Sequence, residues 1–287
     1  MIRFDAAARR ALAGAYPERP TLIDHRLAEH PLLKLDALAA LAARIRPCDA
    51  EYNRGDIPVG IDPADTPANG LSIAETIRSI EENGSWMVLK FVEQDPDYRA
   101  LLDGTLAELA DVVAPATGRM LKKEAFIFVS SPDAVTPFHF DPEHNILLQV
   151  RGTKTMTVFP AGDEAIASAE QHEAFHAGGH RNLVWRDDFA ASGQAFALAP
   201  GKAIYVPVKA PHWVKNGPGV SISFSITWRS DWSYREAYAH RMNALLRRTG
   251  LAPAPPGRFP RQNHAKALGY RVIDKARRLA GNAADDA

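Results

Sequence analysis

A single cysteine, Cys48, among 287 residues excludes an intramolecular disulfide and a thiolate metal cluster, so any metal must be held by histidine and carboxylate. Cys48 itself is expected to be a small buried residue. Charge of either sign is not in excess. The 34 Lys and Arg balance 34 Asp and Glu, so no overall field draws the chain to nucleic acid or an anionic membrane, and neither is expected among its partners. Long apolar runs are missing, since no stretch approaches the ~18 residues of a membrane span. The N-terminal MIRFDAAARRALAG has neither the apolar segment nor the small-residue cleavage site of a signal peptide, and a cytoplasmic protein is expected. Internal repeats and low-complexity tracts are also absent. What is present, 46% hydrophobic residues, suffices for a substantial core in one large domain or one domain with extensions.

The first part reads helical. Leu35, Leu38, Leu41 and Ile45 recur at helical spacing, and a second helix opens at Ser72, where Ser-x-x-Glu to Glu75 forms a capping box. The intervening EYNRGDIPVGIDPADTPANG is dense in Gly, Pro, Asp and Asn and reads as irregular chain, with Glu51, Tyr52, Asn53 and Arg54 as candidates to cover the mouth of whatever follows. From Ser85 the pattern changes to short period-two runs: SWMVLKFV, EAFIFVSS, TPFHF, NILLQV, KTMTVF, KAIYVPV and VSISFSITW, with one helical stretch near 96–116. Such runs, with turn residues between them, indicate an antiparallel sandwich or barrel. After Trp228 the chain turns helical again, broken at APAPPG.

His139 and Asp141 in TPFHFDPEHN are separated by one residue, and on a strand such side chains project to one face. A His-x-Asp pair alone is common by chance. A third ligand must come from a distant strand, and His212, in YVPVKAPHWVKNG, follows an apolar run where a strand ends at the barrel mouth. Two imidazoles and one carboxylate cover one face of an ion, the arrangement of non-haem Fe(II) oxygenases, and leave three positions open for a bidentate co-substrate and dioxygen. Lys154 alternates in phase with Met156 and Val158 and therefore points inward, where an ammonium is costly unless it meets an anion such as the far carboxylate of 2-oxoglutarate.

These residues resemble the JmjC-type hydroxylases, and within them the cupin-like group related to the asparaginyl hydroxylase that inhibits hypoxia-inducible factor. The likeness is carried by Thr-Pro-x-His-x-Asp from Thr136 to Asp141, Asn145 four residues on, QVRGTK ending in Lys154, and GKAIYVPVKAPHWV with the second histidine. It covers residues 125 to 230 most specifically, and EYNRGDIPVG and NGSWMVLK are similar to bacterial proteins of the same group. The resemblance implies a mainly β fold with helical extensions: a double-stranded β-helix (the jelly-roll of cupins and JmjC domains) over 85–230. A helical and loop extension over 1–84 would pack on this barrel, and a helical region over 231–287 would serve in homodimerisation. It also implies that His139, Asp141 and His212 bind Fe(II), that Thr136 and Lys154 bind the distal carboxylate of 2-oxoglutarate, and that Asn145 lies near the carboxylate that chelates iron. Where relatives place a second Asn on the final strand, this chain has SISFSITW, with Ser225 or Thr227 supplying a hydroxyl.

The implied activity is a 2-oxoglutarate-dependent dioxygenase that hydroxylates or demethylates a C–H bond, with succinate and CO2 as co-products. The favoured substrate is a protein or peptide side chain. The rivals are a small-molecule oxygenase, a non-catalytic binding or regulatory module, and a cupin enzyme without 2-oxoglutarate, which leaves Lys154 unexplained. From Asp231 onward eleven Lys or Arg stand against five Asp or Glu, read as the solvated side of amphipathic helices whose Tyr238, Met242, Leu245 and Leu246 suit a dimer. His144 is expected to turn away from the metal after Pro142. His172, His176 and His180 are expected on the surface, Arg151 as a solvated turn charge, and Tyr205 and Trp213 as barrel packing, with Trp213 also placed to wall the cleft.

Overall fold

The chain winds between two antiparallel sheets. The computed structural model describes residues 2–61 and 67–285. Eleven strands are found among the described residues: β1 (Thr21–Asp24), β2 (Ala50–Arg54), β3 (Ser85–Leu89), β4 (Leu121–Ser130), β5 (Val135–His139), β6 (His144–Arg151), β7 (Lys154–Val158), β8 (Gln194–Leu198), β9 (Lys202–Val206), β10 (His212–Asn216) and β11 (Ser221–Arg229). The larger sheet has the order β1-β9-β6-β11-β4-β3-β2 and the smaller β5-β10-β7-β8. From β4 onward the chain crosses from one sheet to the other at nearly every turn, the winding of a double-stranded β-helix. Gly152 makes the crossing from β6 to β7 possible, at φ +67° and with a would-be Cβ 2.3 Å from the Val220 carbonyl oxygen.

The central strands are buried on both faces and therefore read as nearly continuous apolar runs. On β6, Ile146, Leu148 and Val150 face outward into the main core, under helices α1 (Ala6–Ala15), α2 (Leu35–Ala42), α4 (Pro96–Ala107) and α5 (Ala110–Thr117). Leu147 faces inward and meets Met156, Val158, Leu198, Ile204 and Val214 between the sheets. A third cluster, Phe138, Phe140, Phe159, Leu183 and Phe189, seals the outer face of the small sheet. Helix α3 (Ile73–Arg78) opens at the expected capping box of Ser72 and Glu75. Helices α6 (Ala169–His176), α7 (Asp231–Arg248) and α8 (His264–Asp285) complete the described chain, and no helix among the described residues is long and apolar enough to cross a membrane.

Several expectations need correction. The segment 51–70, expected to be irregular throughout, begins as strand: Ala50–Arg54 pairs with β3 and forms one edge of the large sheet, while 62–66 lie outside the described residues. The region 1–84 thus does more than pack on the barrel, since β1 and β2 supply both edges of its larger sheet. Cys48 is exposed. It sits on a short turn whose buried member is Asp49, held by Arg46 and Gln94. His172 is buried and His176 half-buried, because α6 turns this face toward Phe140, 4.5 Å from the His172 ring, and toward α7; His180 is exposed as expected. Tyr205 is core, whereas Trp213 is half-buried on the outside of the small sheet beside Trp185.

Leu148 lies in the middle of β6, fully buried between β9 and β11. Leu148→Ala is expected to destabilise the protein by about 2–5 kcal/mol, measured as a shift of the urea midpoint at constant slope.

Candidate metal centre

Antiparallel pairing of β5 with β10 sets His139 directly opposite His212, the last residue of one strand and the first of the next. The imidazole centroids are 4.2 Å apart. Each ring is pinned through Nδ1 to a carbonyl two residues before it, His139 to Pro137 O at 2.7 Å and His212 to Ala210 O at 2.9 Å. That bond fixes the tautomer with the proton on Nδ1 and turns both Nε2 lone pairs into the cavity. Strand β5 has ended by Asp141, yet the extended course continues far enough to bring its carboxylate to the same side. Asp141 Oδ2 is 4.0 Å from His139 Nε2 and 3.8 Å from His212 Nε2. The three donors are too far apart to hydrogen-bond to one another, and all lie within 4.8 Å of each other, a spacing that one ion with bonds of about 2 Å fills.

Electrostatics favour an ion here. Burial, followed by His212, drives the His139 imidazolium down to about 4, so the ring is a neutral donor near pH 7. Burial alone would push the Asp141 carboxyl up, but Arg181 and the two histidines outweigh it and leave it at about 2. Arg181 was not legible in the sequence. It lies forty residues downstream in the loop after α6 and donates from Nη1 to Asp141 Oδ1 at 2.5 Å, which leaves Oδ2 to the imidazoles. The loop is held to β5 by hydrogen bonds from Phe140 N to Arg181 O and from Leu183 N to Phe138 O.

The three donors line a cavity of about 470 Å3 that also takes in Thr136, Asn145, Lys154 and Ser225. All seven residues singled out in the sequence therefore face one space. Lys154 is 6% exposed and, among the described residues, has no hydrogen-bond or ion-pair partner; burial alone lowers its ammonium to about 7. Asn145 and Ser225 are joined, the Ser225 hydroxyl donating to Asn145 Oδ1 at 2.8 Å. The hydroxyl thus orients the amide with Nδ2 directed away from Ser225. Thr227 lines the same cavity, with its hydroxyl donating to the Glu124 carbonyl. His144 does not reach the site: it is buried between Tyr205, Trp228 and Ser230.

The outer half of the cavity is walled by the inward face of β3 and β4, with Trp86, Phe126 and Phe128, and by Phe91. Of the four residues expected to cover the mouth only Glu51 lines it, paired with Lys90. Glu143 is a further residue that the sequence did not mark. Burial and the neighbouring Asp141 push its carboxyl up to about 6, with Arg229 3.8 Å away.

A family model described as "Cupin-like domain" matches residues 81–233. Among curated proteins, "Jumonji C domain-containing protein 5" of Drosophila melanogaster is 32% identical over 101 residues, 31% of this chain and 24% of that protein. The chain thus spans about a quarter of the relative it matches. Among solved structures, the ribosomal oxygenase YcfD from Escherichia coli is 14% identical, with 95% of this chain and 68% of that one covered at a TM-score of 0.47. The same protein in complex with cobalt and 2-oxoglutarate is 15% identical, with 91% and 65% covered at a TM-score of 0.48.

Removing the guanidinium in Arg181→Met is expected to raise the Asp141 carboxyl from about 2, since burial is then opposed only by the two histidines. A carboxyl-detected NMR titration of the metal-free protein checks this. Asp141→Ala is expected to abolish Mn(II) binding in calorimetry while the circular dichroism spectrum stays unchanged.

Proposed function

The chain belongs to the cupin-like domain family, and on that premise we propose that it is an Fe(II)- and 2-oxoglutarate-dependent oxygenase. One observation carries the reading: a three-donor site open on one side shares its cavity with a buried ammonium that has no partner among the described residues. His139, Asp141 and His212 would hold the iron, with two imidazole nitrogens and one carboxylate oxygen as its donors. The bound metal would supply dioxygen activation coupled to oxidation of 2-oxoglutarate to succinate and CO2. Lys154, with Thr136 beside it in the cavity lining, would bind the distal carboxylate. The Asn145 amide, oriented by Ser225, would donate to the carboxylate next to the metal, so a hydroxyl on β11 acts here through the amide of β6. The apolar strand faces of β3 and β4 would exclude water from the reacting C–H bond.

The favoured substrate is a protein or peptide side chain, hydroxylated or demethylated. The cavity supports this reading by including a half-buried aromatic shelf, Trp86, Phe91, Phe126 and Phe128, in its lining. A small-molecule substrate or a non-catalytic regulatory role would show as full co-substrate binding without turnover on peptides. We also propose a homodimer through α8. One face of this helix packs on α7 and takes up Tyr238 and Met242, two of the positions expected at a dimer seam, with Tyr270 stacked on Tyr238 and Gly269 against Met242, while Leu268, Val272 and Leu279 are 61–63% exposed along another.

Anaerobic calorimetry with Fe(II) is expected to show 2-oxoglutarate binding that Lys154→Met weakens at least about tenfold, the loss of one charge-assisted contact. Because the free ammonium titrates near 7, affinity is expected to fall as pH rises above that value, with proton uptake on binding at pH 8. Succinate release under oxygen tests the reaction, and absence of any co-substrate binding overturns it. Light scattering at micromolar concentration is expected to give a dimer, and Leu268→Asp with Val272→Asp a monomer.

A further inference from the structure

A second buried charge network lies behind the metal centre, on the side away from the cavity. Lys209 is 1% exposed, in the turn between β9 and β10, at φ +59°. This turn, Pro207–Pro211, touches two of the three metal-site residues through its backbone. The Lys209 N–H donates to the Asp141 carbonyl at 2.7 Å, and the Ala210 carbonyl accepts from His212 Nδ1 at 2.9 Å. The side chain runs the other way. Its ammonium meets Glu236 Oε1 of α7 at 2.5 Å and donates to His240 Nε2 one helical turn on. His240 is in turn flanked by His172 and His176 of α6, with ring centroids 5.5 and 5.6 Å away.

A residue in the left-handed region, with an ammonium removed from water, adopts that conformation only when its surroundings determine it. Glu236 and His240 provide that determination, since they take the ammonium from behind while the amide faces the metal site. We infer that Lys209 and Glu236 are positioning residues for the metal centre, which α7 fixes from outside the barrel by anchoring the turn that holds Asp141 and His212. The inference rests on the reading of His139, Asp141 and His212 as metal ligands. Neither Lys209 nor Glu236 lines the cavity, so both act through the turn.

The contribution to positioning can be separated from the contribution to folding. Breaking a buried ion pair strands a charge, whereas replacing both partners with apolar side chains of similar volume is often neutral for stability. Lys209→Met combined with Glu236→Met is therefore expected to melt close to the unaltered protein. Glu236→Asp keeps the charge but withdraws it by one methylene. Two measurements are made on each: hydrogen exchange of the metal-free protein over the peptide spanning residues 203–212, and Mn(II) affinity by calorimetry well below the melting temperature. The expected result is faster exchange of the turn and Mn(II) binding weakened about tenfold to a hundredfold in both variants, the usual effect of losing an outer support of a metal ligand. Exchange and affinity equal to those of the unaltered protein, in either variant that is folded, overturn the inference. Failure of the unaltered protein to bind Mn(II) overturns instead the reading of the site on which it rests.

Discussion

Two imidazoles and a carboxylate are held about 4 Å apart, with no hydrogen bond between them, and the surrounding structure serves to keep them so. Left free, such groups would pair or move apart into water. Here each ring is tied to a carbonyl of its own strand or turn, and the carboxylate is tied by one oxygen to Arg181. The antiparallel register of β5 and β10 supplies the remaining constraint, because a slip of one residue would send one imidazole to the opposite face of the small sheet. The aromatic cluster behind that sheet, with Phe138 and Phe140 alternating with His139, is what makes such a slip costly.

The same reasoning links the three-donor site to the deeper pocket. Lys154 shares its strand face with Met156 and Val158, which belong to the core between the sheets, so the fold that buries those two residues also buries the ammonium. Such burial is unfavourable without an anion. A cavity with a site for a cation at one end and an uncompensated ammonium at the other is complementary to a ligand that chelates metal through one end and carries a carboxylate at the other.

The sequence was most legible where one local period decided the outcome. The period-two runs from Ser85 onward correspond to seven of the strands, and the phase of Lys154 with Met156 correctly gave the direction of its side chain. His139 and Asp141 were legible for the same reason. The missed strands are those whose pairing is decided elsewhere. β1 and β2 are four and five residues long and become strands by closing the edges of a sheet built by distant residues, and β8, with Gln and Ala at exposed positions, has little apolar alternation to announce it. The fourth, β10, was hidden by its polar His, Lys and Asn, so His212, expected where a strand ends, instead opens one between β5 and β7. The buried state of His172 was invisible because it depends on α7 arriving from sixty residues downstream. Arg181 carried no signal either, for a loop arginine acquires meaning only when its loop is bonded to β5.

These long-range contributions have a common character. Two of the three donors come from strands and Asp141 from just beyond one, but their precision comes from segments outside the local motif: the loop carrying Arg181, and the 207–211 turn with α7 behind it. Strand register alone leaves a side chain free to choose among rotamers, and each of these outside contacts removes one such choice. Where donors are held apart without bonding to one another, the supports cannot be supplied by the donors themselves. They must come from parts of the chain that a local reading of the motif does not include.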